Sequence, residues 1–181
     1  DQRLVGFAKG ASDPALAALY FNVGRYLLIN SSRPGGLPAN LQGIWAQEVQ
    51  TPWNGDWHLD INVQMNYWPT DVANLSECFQ PYAEWINSIR AVRTEATRKE
   101  FNKPGWLMRA ESGIFGGSTW HWQPGASAWL LQNSFDHYRF TGDKEYLRTR
   151  AYPAMKEVCQ YWLESLIPQP DGTLITPIGM S

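Results

Sequence analysis

The sequence predicts an all-α fold in which helical hairpins are arranged around a toroid. Three observations predict it. Apolar residues recur at spacings of 3, 4 and 7 in several long segments. Nothing alternates with strand-like runs, which rules out a parallel sheet. Short helix connections on one side contrast with long, Gly- and Trp-rich loops on the other, as stacked antiparallel helix pairs require. No fixed-period repeat is present, which disfavours a tetratricopeptide-like solenoid. Five or six helices amount to about half of such a toroid, so residues 1–181 are expected to be an incomplete part of one domain.

The first strong helix is expected from Asp13 to Asn30, with Asp13 as N-cap and Pro14 at the first helical position. Leu16, Leu19, Tyr20, Val23, Tyr26, Leu27 and Asn30 form its predicted buried stripe. It ends before "SSRPGGLPANLQG", where Pro34, Gly35, Gly36 and Pro38 break regular structure. A long helix is predicted from Phe79 to Phe101, with Tyr82, Trp85, Ile86, Ile89 and Val92 on its apolar face. The loop "KPGWLMRAESGIFGGSTWHWQ" leads to a third helix from Pro124, striped by Ala128, Leu131, Phe135 and Tyr138 and stopped at Gly142. A short helix over 143–150, another from Pro153 to Leu166, and a turn with an extended piece in "PQPDGTLITP" complete the layout.

Composition describes a globular chain: 44% hydrophobic, 18% charged, net charge −2. No basic run exists, which argues against nucleic acid and anionic membrane surfaces as partners. No apolar stretch reaches the roughly 20 residues of a transmembrane helix. The opening "DQRLVGFAKG" has neither an initiator Met nor a targeting pattern and reads as an excised or processed segment. Cys78 and Cys159 each sit among apolar residues and are expected as buried free thiols, with a single disulfide as the alternative.

Ten Trp, eight Tyr and seven Phe are the loudest compositional signal. Such rings fill cores, but Trp and Tyr also carry a polar handle suited to clefts, and sugar rings offer matching C–H faces. "WNGDWHLDINVQMNYWPTD", Trp53 to Asp71, concentrates this chemistry. Across it, period two puts His58, Asp60 and Asn62 on one side and Leu59, Ile61 and Val63 on the other. The pattern then turns helical, setting Ile61, Met65 and Trp68 on one flank until Pro69 ends or kinks it. Three polar groups projecting between Trp53, Trp57 and Trp68, with Asn66 nearby, describe a carbohydrate-type cleft. The plainer reading is Asp60 as an N-cap, His58 as a structural histidine and the amides as loop ties.

"LPANLQGIW", Leu37 to Trp45, and "HLDINVQMNYWPTDVANLSEC", His58 to Cys78, closely resemble glycoside hydrolase family 95. "FDHYRFTGDKEYL", Phe135 to Leu147, matches a further segment of it. Members are α-L-fucosidases, with some α-L-galactosidases. The resemblance implies an (α/α)6 barrel and hydrolysis with inversion of an oligosaccharide or glycan substrate, without cofactor. It implies that His58 contacts the sugar and that Asp60 and Asn62 occupy two amide positions that hold the attacking water. A distal Asp and the general-acid Glu would come from later in the barrel, beyond "ITPIGMS", so this segment alone is expected to be inactive. The remainder of the barrel is then its partner, in a periplasmic or secreted setting. Asp60 departs from the family pattern, which has Asn there. As a carboxylate it can accept the proton itself, with Asn62 orienting the water; the alternative is a sugar-binding segment of altered or lost activity.

The loop from Ala110 to Trp129 departs from the family pattern at Ser112-Gly113 and Phe115. Trp120, His121 and Trp122 precede a helix N-terminus and are expected to line a subsite. Glu111 reads as a solvated loop acid and His137 as a packing histidine. The three histidines, His58, His121 and His137, lack metal-ligand spacing, so no metal site is expected. No P-loop and no G-x-S-x-G elbow appears.

Overall fold

A computed structural model describes residues 2–177. It is all-α, with two small two-stranded ladders. The order is α1 (Gln2–Ala8), α2 (Pro14–Ser31), β1 (Trp57–His58), α3 (Asn62–Tyr67), α4 (Pro69–Val72), α5 (Gln80–Phe101), β2 (Glu111–Ser112), α6 (Pro124–Thr141), α7 (Lys144–Tyr146), α8 (Tyr152–Ser165), β3 (Ile167–Pro168) and β4 (Leu174–Ile175). Among the described residues, no helix is long and apolar enough to cross a membrane.

The helix ends are where local chemistry places them. Asp13 caps α2 by accepting from Leu16 N at 2.9 Å, with Pro14 at the first position. Arg3 of α1, a helix absent from the sequence expectation, donates twice to the same carboxylate at 2.8 and 2.7 Å. Pro69 separates α3 from α4. Gly142 closes α6 in the left-handed region (φ 70°), donating to Tyr138 O at 2.8 Å.

One boundary differs from expectation. Instead of two helices over 143–166, α7 runs into α8 through a π-turn, Leu147–Ala151. Pro153 has no N–H to donate, and Tyr152 N–H reaches back to Leu147 O, widening the turn instead of breaking the helix.

The core is one cluster in which Leu59, Val63, Tyr67, Phe79, Tyr82, Trp85, Ile89, Trp106 and Leu130 are essentially buried. Tyr82 Oη donates to Leu130 O at 2.8 Å, tying α5 to α6. Arg90 pairs bidentately with Glu157, tying α5 to α8. His137 packs as expected, stacked on Phe79 at 4.3 Å between centroids and bonded to Asp71 at 2.8 Å.

Three predicted stripes need correction. On α2, Leu19, Tyr20, Val23, Tyr26 and Leu27 are exposed, and Leu28 and Ser31 are the buried positions. The helix is apolar around most of its circumference, so periodicity could not choose a face. On α6, Ala128 and Phe135 are exposed and Leu131 alone of the predicted stripe is buried; the packed face is Ala126, Ser127, Leu130, Leu131, Asn133 and Ser134. Small and polar residues disguise it, because Tyr82 and Asn133 reach backbone carbonyls there. Val92 of α5 is exposed, and so is Ile61, which the period-two reading placed inward. Cys159 is an exposed free thiol, whereas Cys78 is free and buried as expected.

Gly105 shows how closely α8 meets the loop after α5. It has φ +80°, and a Cβ there would lie 2.1 Å from Glu157 O. Gly105→Ala in the full-length protein is expected to lose about 3 kcal/mol or more of stability. Gly172→Ala, at φ +85° with open space around it, should lose only about 1–2 kcal/mol. Denaturant midpoints of the two variants check the difference.

Candidate active site

The "NLQG" of the first motif folds into a tight turn. Asn40 Oδ1 accepts from Gln42 N at 2.9 Å and Gly43 N donates to Asn40 O at 3.0 Å. Gly43 has φ +68°, and the Trp45 ring covers it so closely that a Cβ would come within 2.9 Å. This turn docks on the segment just before the second motif. Leu41 N donates to Asp56 O at 3.0 Å, Gln42 Nε2 to Pro52 O at 3.1 Å and Trp57 Nε1 to Pro38 O at 3.1 Å. Beneath it, the buried Tyr67 hydroxyl accepts from Ala39 N at 2.8 Å and meets Ser32 Oγ at 2.6 Å, while Ser32 Oγ donates to Cys78 O.

The second motif is held from the other side by the loop 102–123. β1 and β2 pair antiparallel, Trp57 with Ser112 and His58 with Glu111, and Leu59 N continues the ladder to Ala110 O at 2.8 Å. Arg93, 3% exposed, anchors that loop through Leu107 O at 2.9 Å and Gly116 O at 3.0 Å. Burial, reinforced by neighbouring Arg109, pulls its guanidinium down to about 10. After the ladder the chain turns into α3, and the fully buried Gln64 braces the turn by donating to Leu59 O at 2.8 Å.

These loops enclose an open cavity of about 730 Å3, walled by residues of 30–44, 54–57 and 111–114. A second, more apolar hollow of about 540 Å3 lies between α2 and the 39–45 turn, with Met65 and Asn66 in its wall. Asn66 reaches Asn40 O at 3.4 Å.

Asp56 and Glu111 stand in the wall of the first cavity, and the structure gathers His58 to them from behind, one donor atom of each lying within 4.8 Å of the others. Asp56 Oδ1 is in direct hydrogen-bond contact with His58 Nδ1. Among the described residues this is the one group with metal-compatible donors. Its donors already bond to one another, Asp56 to His58. Burial first, and the adjoining Glu111 carboxyl second, push the Asp56 carboxyl up to about 6, against the opposing pull of His58.

Sequence reasoning missed Asp56, although one step back along the period-two series Asp56, His58, Asp60, Asn62 reaches it. Glu111 is a correction: it is partly buried on β2, accepts from Ser118 Oγ at 3.3 Å and faces Asp56, because the ladder draws it in from solvent.

The remaining predicted residues divide. Trp53 is 68% exposed and stands edge-to-face with His58, centroids 6.5 Å apart. It and Asn54 hold φ of 48° and 58°, a left-handed pair that is strained for non-glycine residues. Trp57 is buried against Trp85 at 5.4 Å and presents only an edge to the cavity. Asp60 lies in the turn and Asn62 opens α3; both are partly buried. Trp120 is exposed beside His121, centroids 5.4 Å apart. Trp122 turns inward, with Arg109 and Arg93 over its ring at 4.3 and 4.8 Å and Phe101 against its edge.

The Asp56–His58–Glu111 group, the open cavity beside it and the exposed rings of Trp53 and Trp120 are all carried on loops of a helical scaffold. Comparison with known proteins places the chain. The model of the glycosyl hydrolase family 95 catalytic domain matches residues 1–181. The chain is 38% identical to alpha-L-fucosidase 2 of Arabidopsis thaliana over 175 residues, 93% of this chain and 21% of that protein. It is 35% identical to the probable alpha-fucosidase A of Aspergillus niger over 174 residues, 90% of this chain and 22% of that protein. The chain belongs to glycoside hydrolase family 95. It spans about a fifth of the length of these relatives.

Tyr67→Phe, in the full-length protein, is expected to cost about 1–3 kcal/mol by leaving the buried Ala39 N–H unpaired. Denaturation checks the loss, and faster amide exchange in segment 37–45 checks its location.

Proposed function

We propose that this chain is the catalytic-barrel segment of a glycoside hydrolase that removes terminal α-L-fucosyl, or related α-L-galactosyl, residues from oligosaccharides or glycans with inversion. The observation that carries the reading is the family match along the whole chain; the cavity beside Asp56 and Glu111, walled by the first motif and the 54–57 segment, supplies the space for a sugar. In it, His58 contacts the sugar beside the open face of Trp53, and Trp120 and His121 extend the aromatic surface. Asp60 takes the proton of the attacking water and Asn62 orients that water. The general acid comes from the remainder of the barrel, roughly 6.5–9.5 Å from the base, leaving room for the water. That remainder also covers the exposed apolar face of α2, since a helix apolar all round belongs in the interior of a larger body.

The substitution of Asp for an amide at position 60 favours a second reading, a segment that binds sugar with altered or lost turnover. Both are tested in the full-length protein with α-L-fucosides and α-L-galactosides, following the first-formed anomer by NMR. Release of the inverted sugar is expected; the retained anomer would sink the mechanism, and binding without turnover would favour the second reading. Asp60→Ala is expected to reduce kcat about 10²–10⁴-fold, the usual worth of a general base, and Asp60→Asn to fall comparably. Full activity in Asp60→Asn would remove Asp60 from the base role.

A further inference from the structure

Asp56 has more required of it than an exposed acid would. Its side chain is 10% exposed, Oδ1 is engaged by His58 Nδ1, and Oδ2 is buried without a hydrogen-bond partner. Glu111, the residue paired with His58 across the ladder, brings a second carboxylate to the same point. An ionised carboxylate only accepts hydrogen bonds, so two of them side by side leave a buried oxygen facing like charge. One proton resolves this. On Asp56 Oδ2 it donates to Glu111, while Oδ1 still accepts from His58 Nδ1–H.

We propose that Asp56 is a positioning residue for His58. It shares one proton with Glu111 and holds the imidazole as its Nδ1–H tautomer, so that Nε2 presents a lone pair to a sugar hydroxyl. His58 then accepts a hydrogen bond from substrate instead of donating one. The inference rests on the reading of His58 as a sugar contact. The titratable groups facing Asp56 are His58 on β1, the strand that Asp56 leads into, and Glu111 on β2; Arg33 is the basic residue among those lining the cavity beside Asp56. The Asp56 carboxyl is raised to about 6. Below that pH the pair holds its shared proton. Above it, two adjacent carboxylates repel and His58 loses its register.

The variants separate positioning from mere structure. Asn at position 56 imitates the protonated acid, with an oxygen for His58 and an N–H for Glu111. In the full-length enzyme, wild-type kcat/KM is expected to fall as pH rises through about 6, chiefly through KM. Asp56→Asn and Glu111→Gln should each abolish that fall, since neither variant leaves two carboxylates side by side. Asp56→Ala should raise KM about 10–100-fold at every pH, the scale of a misplaced contact group. If Asp56→Asn matches Asp56→Ala at all pH values, or keeps the wild-type limb, the proposal is overturned. Infrared spectroscopy reads the same proton without turnover. A protonated-carboxyl C=O band that titrates near pH 6 in wild type should be missing in Asp56→Asn. Its presence in an enzyme inactive on both sugars would refute the functional reading and keep the shared proton; its absence in an active enzyme would refute the shared proton alone.

Discussion

The two rungs between β1 and β2 set the arrangement of the site. By themselves they are weak, since a two-stranded ribbon of this length has no independent stability in water. They persist because each strand is fixed elsewhere. Trp57 is buried against Trp85 and Leu59 in the core, so β1 cannot slide without moving a large ring into solvent. On the other side, the guanidinium of Arg93 gathers Leu107 O and Gly116 O, holding the ends of the loop that carries β2. A slip of one residue would turn His58 and Glu111 to opposite faces, so the register decides whether the polar group exists at all.

Arg93 also explains why the Trp-rich loop is not uniformly a binding surface. A buried guanidinium needs its charge spread over carbonyls and an aromatic face, and the Trp122 ring supplies the face to both Arg93 and Arg109. Trp122 is thereby committed to the loop interior, and Trp120, two residues earlier, is left outward beside His121. One tryptophan holds the scaffold and the other offers a surface.

What the sequence made legible follows the range of the interactions. Asp13, Pro14, Pro69 and Gly142 act within a turn of themselves, and their positions could be read directly. The all-α class followed from the same local signals. The β1–β2 pairing joins segments on either side of α5, and nothing local marks Glu111 as a partner for His58. Buried polar residues were equally illegible. Gln64 and Asn133 look like surface residues until Leu59 O and Gln64 O are seen as their acceptors. The faces of α2 failed for another reason: apolar residues on every side leave periodicity nothing to discriminate.

Period two in His58, Asp60 and Asn62 read as one extended approach to a helix, and the structure divides it, with Asp56 before it, into three kinds of support. Asp56 and His58 are held by the ladder and by the 40–43 turn docked on Asp56 O. Asn62 is held by the start of α3. Asp60 lies in the turn between them, whose carbonyl at Leu59 is braced by Gln64, itself pinned by Asn133 of α6. Position 60 is therefore tied to rigid elements on both sides. The Asp60 side chain takes no part in those backbone supports, which makes position 60 a place where the side chain can change while the turn around it stays in place.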